Sequence, residues 1–335
     1  MLLRPVIVLF VAALSQAWLV ATVYAADQIQ GLVLEKAIPL NDVSGRIDHM
    51  AVDLTRSHLA VAELGNDTVD VIDLSTARVV HRIVGLHEPQ GVAFVPSADL
   101  FAIANAGDGA VKFFRAGDFS PLGGIDLGDD ADNVHVDNGT GNLVVGYGGG
   151  GLAIIDPTTR SKLADIALPA HPEGFQLALD SSRVFVNVPD ARQIAAVDLS
   201  SGQQTARWRI PDLQSNFPMA LDRQGRTLAI AFRGPARLVL LDAGSGTVIA
   251  NVDTCGDADD VFFDERRRRI YVVCGAGAID VFERNDGGLR RMAQVEIAPG
   301  ARTGLFVPEL DCLFVASRAA SSGTDAKVLV FRPTP

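Results

Sequence analysis

Cysteine is scarce. Three in 335 residues are too few for a disulfide scaffold, and they lack the C-x-x-C spacing of a zinc site or the C-x-x-C-H of a covalent haem. Aromatic residues make up only 6%, too few for a base-stacking platform. Cationic residues are the minority, 29 Lys plus Arg against 40 Asp plus Glu, for a formal charge of −11. A surface of that sign repels phosphate backbones, so nucleic acid is not expected as a partner. Helical periodicity is also missing, since nowhere does an apolar repeat of 3.6 persist over three turns. Apolar residues nevertheless reach 48%, enough for a core and too many for a disordered chain.

One long apolar stretch exists, and it stands at the start. Arg4 precedes the run Val6 to Leu14, and Val23-Tyr24-Ala25 has the small-x-small pattern that signal peptidase accepts. Ser15, Gln16 and the early Asp27 leave the stretch short for a membrane span of about 20 residues. Residues 1–25 are therefore expected to be a signal peptide and 26–335 one exported domain, periplasmic or secreted. Cleavage would remove Arg4 and take the charge from −11 to −12. No transmembrane segment is expected in the mature chain, which is expected to act as a monomer.

What fills residues 26–335 is a repeat. Short apolar stretches end in Asp or Pro at Asp53, Pro96, Asp137, Asp180, Asp222, Asp264 and Pro308, 41 to 44 residues apart. A second landmark keeps step with the first, at Asp73, Arg115, Asp156, Asp198, Asp242, Glu283 and Arg332. Each unit reads as four short strands separated by Gly, Asp, Asn and Pro. Such a unit cannot bury both faces alone, but seven stacked around an axis can, which predicts an all-β, seven-bladed β-propeller of four-stranded blades. The seventh unit lacks its fourth strand. Gly31 to Leu40 matches the fourth strands of other units, such as Ser161 to Pro169, so the N-terminal segment is expected to complete the last blade and leave no open edge.

The period, the Asp or Pro anchor and strands such as Ile270-Tyr271-Val272-Val273 and Leu59-Ala60-Val61-Ala62 resemble the YVTN-repeat, YncE-like family of exported seven-bladed propellers. Asn105 and Asn187 stand where that signature ends in Asn; elsewhere the terminal Thr-Asn is replaced. The resemblance implies the fold over the whole mature chain. It does not imply an activity, because the architecture hosts enzymes and pure binding modules alike.

Aligning the repeats shows what should surround the channel mouth. Four residues before each anchor stand His49, Val92, Asn133, Gln176, Pro218, Asp260 and Gly304; one step earlier come Asp48, Gly91, Asp132, Phe175, Phe217, Asp259 and Thr303. Arg46, Glu88, Glu173, Asn216, Asp257 and Arg302 precede those. Carboxyl groups gathered around one axis need relief. Arg46 and Arg302 could supply it from within, or a Ca²⁺-like cation on Asp48, Asp132 and Asp259 from outside. The turns between second and third strands add Glu63, Asn105, Tyr147, Asn187, Arg233, Cys274 and Arg318 to the expected rim, with Arg233, Arg302 and Arg318 as bidentate donors for a carboxylate or phosphate ester. Tyr147 to Gly151 reads as a glycine-rich blade turn, His135 as a structural histidine, His171 as exposed, and Arg266 to Arg269 as a solvated turn tip. Cys255 and Cys274 should emerge on the mouth face one blade apart, close enough to pair in an oxidising compartment, leaving Cys312 buried. Two functions remain open: a binding or interaction module using this polar mouth, and a metal-assisted lactone or ester hydrolase using the same site with His49 or an Asp handling protons.

Overall fold

Along the second strand of each repeat, successive side chains face different neighbours. Leu59 and Val61 pack with Val307, Phe314 and Val328, whereas Ala60 and Ala62 pack with Val92, Phe101 and Ile103. Alternation of that kind is the period-two geometry of a strand covered on both faces. Repeated in all units, it gives seven separate apolar layers, one between each pair of adjoining sheets. The result, in a computed structural model that describes residues 31–180, 182–285, 288–319 and 325–335, is a ring of seven four-stranded antiparallel sheets. Residues 1–25, read as a signal peptide, lie outside the described residues.

Blades 1 to 6 occupy 50–83, 89–126, 131–167, 175–208, 214–253 and 258–296, each in simple up-and-down order from the channel outward. Blade 7 takes its three inner strands, Thr303–Val307, Cys312–Ser317 and Lys327–Pro333, from the C-terminus and its outermost, Leu32–Pro39, from the N-terminus. That strand runs antiparallel to Lys327–Pro333 from Leu32 opposite Pro333 to Pro39 opposite Lys327. The innermost strand of blade 7 packs on Met50–Asp53 of blade 1, which closes the circle.

The repeated aspartates have a local cause. Asp53 accepts the backbone N–H groups of Thr55 and Arg56, Asp222 that of Arg226 and Asp264 that of Arg267. At the second landmark, Asp73, Asp156 and Asp242 do the same for the two or three residues that follow. A short carboxylate is the side chain that satisfies the N–H groups of a tight turn, so the landmark residues mark turns on the face opposite the mouth.

The arginine run at 266–269 is the solvated tip its composition suggests only in part. Arg266 and Arg268 are exposed, but Arg267 pairs with Asp264 and Asp311, and Arg269 is buried, its guanidinium donating to the carbonyls of Thr334 and Pro335. These two side chains hold the C-terminus where Thr334 donates back to the Gly31 carbonyl.

A buried carboxyl in blade 1 makes stability depend on pH. Glu63 is fully covered beside Asp70, accepts the Thr68 hydroxyl, and shares its surroundings with Arg82. Burial first, and Asp70 next to it, push its carboxyl up to about 8 against the opposing Thr68 bond and Arg82. The unfolded chain releases that proton near 4.5, so folding binds a proton between the two values and stability falls across this window as pH rises. Glu63→Gln is expected to melt alongside the wild type at pH 4 and at least about 3 °C higher at pH 8, by circular dichroism. Equal melting at both pH values would contradict a shared proton at this position.

Candidate functional site

The seven inner strands leave a channel of about 630 Å³ along the axis. All seven positions four residues before the anchors line it: His49, Val92, Asn133, Gln176, Pro218, Asp260 and Gly304. Of those one step earlier, Asp48, Gly91, Asp132, Phe175, Phe217 and Asp259 also line it, as do Arg46 and Glu173. Gly91 is required there, because a Cβ on it would stand 2.1 Å from the Asp132 carbonyl oxygen of the next blade. Polar groups line both ends, with Arg223, Asp264, Glu265, Arg266, Glu309 and Asp311 on the face opposite the mouth, and Met50, Val134, Phe262, Leu305 and Phe306 make the wall between them largely apolar.

The carboxylates at the mouth are met by the protein's own cations. Arg46 Nη2 lies 2.6 Å from Asp48 Oδ2, and the His49 ring 3.7 Å from Asp48 Oδ1. Arg233 reaches both Asp257, at 3.4 Å, and Asp259, while its guanidinium carbon sits 3.8 Å above the Phe217 ring. Arg302 contacts Asp259 at 3.1 Å and Asp257 at 3.3 Å. His171 lies between Asp130 and Asp132, 3.6 Å from each, with Nδ1 2.6 Å from the Gly148 carbonyl. Among the described residues no three His, Cys, Asp or Glu side chains form a group that could hold a metal ion. Asp48, Asp132 and Asp259, offered by the sequence as a cation set, do not fit one; each is turned to an arginine or a histidine of this chain. Relief of the crowded charge is internal.

Burial in this neighbourhood moves several protons. Asp48 is pushed up to about 6 by loss of solvent, with His49 and Arg46 resisting and Asp259 and Asp132 adding to the rise. Loss of solvent likewise takes Glu173 up to about 7 and Asp260 up to about 8. For His49 burial opposes the charge, but the fields of Asp48, Asp260, Asp132 and Asp259 outweigh it and raise the imidazole to about 9. Asp132 does the same for His171, also to about 9, against its partial burial. His135 lines the channel deeper in, its ring centroid 4.6 Å from that of Phe175, and burial followed by repulsion from His49 lowers it to about 4, so it stays neutral.

Several residues expected at the mouth stand elsewhere. Tyr147 donates its hydroxyl to Asp165 at 2.6 Å and does not line the channel. Arg318 lies over Gly300, also away from the channel lining. Asn216 is buried between blades, donating to Asn187 Oδ1 and the Gln193 carbonyl, and Asn187 in turn donates to the Phe217 and Pro218 carbonyls. The second-strand ends Glu63, Asn105, Asn187 and Cys274 are fully buried and do not line the channel. Cys274 and Cys255 are joined by a disulfide with Cα atoms 5.9 Å apart, and Cys312 is a buried free thiol. Conversely, His171, expected to be exposed, and Asp130, which the repeat alignment does not reach, pair with each other beside Asp132; they sit on connections between blades, where the strand register gives no guide to direction.

Comparison with known proteins agrees with the architecture. The chain superposes on a chain of Kuenenia stuttgartiensis hydrazine synthase with a TM-score of 0.77 at 14% identity, covering 90% of this chain and 99% of that one. It superposes on a chain of the mitotic checkpoint complex with a TM-score of 0.78 at 12% identity, covering 99% and 100%. The likeness is one of fold alone. No family model and no curated protein matches the sequence, so a seven-bladed β-propeller is the level at which the chain is placed among known proteins.

Proposed function

We propose that this β-propeller is an exported, YncE-like ligand-binding module whose site is the mouth of the central channel. The observation that carries the reading is Asn133. Its residue is 7% exposed and lines the channel, and among the described residues no group hydrogen-bonds its side-chain amide. An amide that opens on the channel beside Asp132, Glu173 and Gln176 without a protein partner is available to a guest. The cavity volume suits a small molecule, and its mix of apolar wall and few convergent polar groups is that of ligand pockets generally. Export is supported by the leader-like residues 1–25 and by a disulfide, which persists in oxidising compartments. The hydrolase alternative is not carried forward, because the donors it needs for a metal are engaged with arginine and histidine.

A thermal-shift panel of small polar compounds, cationic, anionic and neutral, tests the site. At least one class is expected to raise the melting temperature of the wild type by about 2 °C or more at saturating concentration and to leave Asn133→Trp unmoved, because the indole fills the cavity. A panel without effect, or an equal shift in both proteins, would contradict a channel site. For export, protein recovered from the periplasm is expected to have the mass of a chain starting at Ala26; an uncleaved chain would contradict it.

A further inference from the structure

Charge at the mouth is matched unevenly, and the mismatch points to the chemistry of the guest. Each cation described there already has a carboxylate: Arg46 and His49 share Asp48, Arg233 and Arg302 share Asp257 and Asp259, and His171 has Asp130 and Asp132. Two carboxyl groups of the same lining, Glu173 and Asp260, form no ion pair among the described residues, where Asp260 accepts only the backbone N–H of Gly304, at 2.6 Å. Beside them the amide of Asn133, a residue 7% exposed, lines the channel without a partner among the described residues. Once Glu173 and Asp260 ionise, the lining carries two negative charges that no cation among the described residues pairs. An anion would meet carboxylates with no free guanidinium to receive it, and a neutral guest would leave the carboxyl groups unmatched.

We propose that the channel mouth binds a small organic cation, a primary ammonium or guanidinium on an apolar body, with Glu173, Asp260 and the Asn133 carbonyl oxygen as acceptors for its head. The proposal rests on the channel being a ligand site and adds the class of ligand. The apolar body is accommodated by Phe262, Phe306 and Leu305 deeper in the channel. The mixture of carboxylate and aromatic wall is what amine recognition uses, since a desolvated cation needs both charge and a polarisable surface.

Binding of such a cation is linked to proton release. Glu173 faces Asp132, Asp259, His171 and Arg233, and Asp260 faces His49, Asp259 and Asp48; the net effect of burial and these neighbours holds both carboxyls protonated above the usual carboxylate range, Glu173 to about 7 and Asp260 to about 8. A cation favours the ionised form of each. Its affinity therefore rises with pH from 6 to 8, where the free protein gives up those protons, by about fivefold or more. His49 and His171 stay charged across that range, so they do not reverse the sign.

The experiment is isothermal titration of phenethylamine, phenethyl alcohol and 3-phenylpropionate, three probes of similar size and different charge, into the full mature protein at pH 6 and pH 8 and constant ionic strength. Phenethylamine is expected to bind at least about tenfold more tightly than either other probe, and more tightly at pH 8 than at pH 6. Glu173→Gln with Asp260→Asn is expected to abolish both the preference and the pH dependence while folding as well as the wild type, because it replaces two protonated carboxyls with neutral amides. Preferential binding of 3-phenylpropionate would overturn the cation assignment and leave a channel site standing. Binding of phenethylamine unchanged in the double variant, or at equal strength at both pH values, would overturn it too. So would heat from none of the three probes, in which case the panel with Asn133→Trp decides separately whether the channel holds any guest.

Discussion

A chain starting at residue 41 is expected to lose cooperative folding, whereas one starting at residue 26 is expected to keep it. The ring is closed by a single strand, Leu32–Pro39, whose partner Lys327–Pro333 would otherwise present a bare edge of N–H and C=O groups. Leu32, Ile38 and Leu40 are each at most 2% exposed and pack into the layers that blade 7 shares with its neighbours. Their apolar burial contributes on the order of 5 kcal/mol, comparable with the whole stability of many domains. Thermal melts and gel filtration of the two chains check this. Aggregation, or a melting temperature lower by more than about 15 °C, is expected for the shorter one. Equal melting of monodisperse samples would mean that the seventh blade does not depend on the N-terminal strand.

The second large effect lies at the mouth. Arg233→Met together with Arg302→Met leaves Asp257 and Asp259 without a cation, in a site where Asp259 has a side chain only 14% exposed. Removing one side of such a buried pair costs about 3–5 kcal/mol, mostly from the stranded charge. Addition of Asp259→Asn is expected to restore a large part of that loss, because the orphaned carboxylate is then gone. Denaturant titration of the double and triple variants makes the comparison. A double variant as stable as the wild type would show that these arginines do not neutralise the mouth, and an external cation would return as the explanation.

Much of this architecture was readable from residues alone, and the reason is periodicity. An anchor aspartate fixes where a turn lies, and a strand then dictates which side chains share a face with it. His49, Val92, Asn133, Gln176, Pro218, Asp260 and Gly304 were placed on the channel by counting back four, and all of them line it. Counting fails where the backbone is not a strand. The connection before blade 4, 168–174, is longer than 127–130 or 254–257, and its extra length swings His171 in against Asp130 and Asp132. Tyr147, Arg318 and Asn216 failed for a different reason: Tyr147, at the end of a second strand, turns to Asp165 of its own blade, Arg318, just past one, lies over Gly300, and Asn216, on the inner strand of blade 5, points between blades to Asn187 and Gln193. Arg267 and Arg269 look like a solvated turn because the groups that bury them come from the C-terminus some 65 residues away, a contact no local pattern carries.

Low sequence similarity to other propellers fits the same physics. A blade needs alternation, turn aspartates and small residues at close approaches, all of which many sequences supply, so fold persists at 12–14% identity while the channel lining is free to differ. Function therefore has to be read from Asn133 and its neighbours and not from the ring that carries them.

The most direct test is a crystal structure of the mature protein grown with phenethylamine at pH 8. The expected result is one molecule inside the channel, its ammonium within hydrogen-bond distance of Glu173 or Asp260 and the Asn133 carbonyl oxygen, and its ring against Phe262 or Phe306. Ordered water alone around Asn133, with the amine absent or bound only on the outer wall of the blades, would contradict the account.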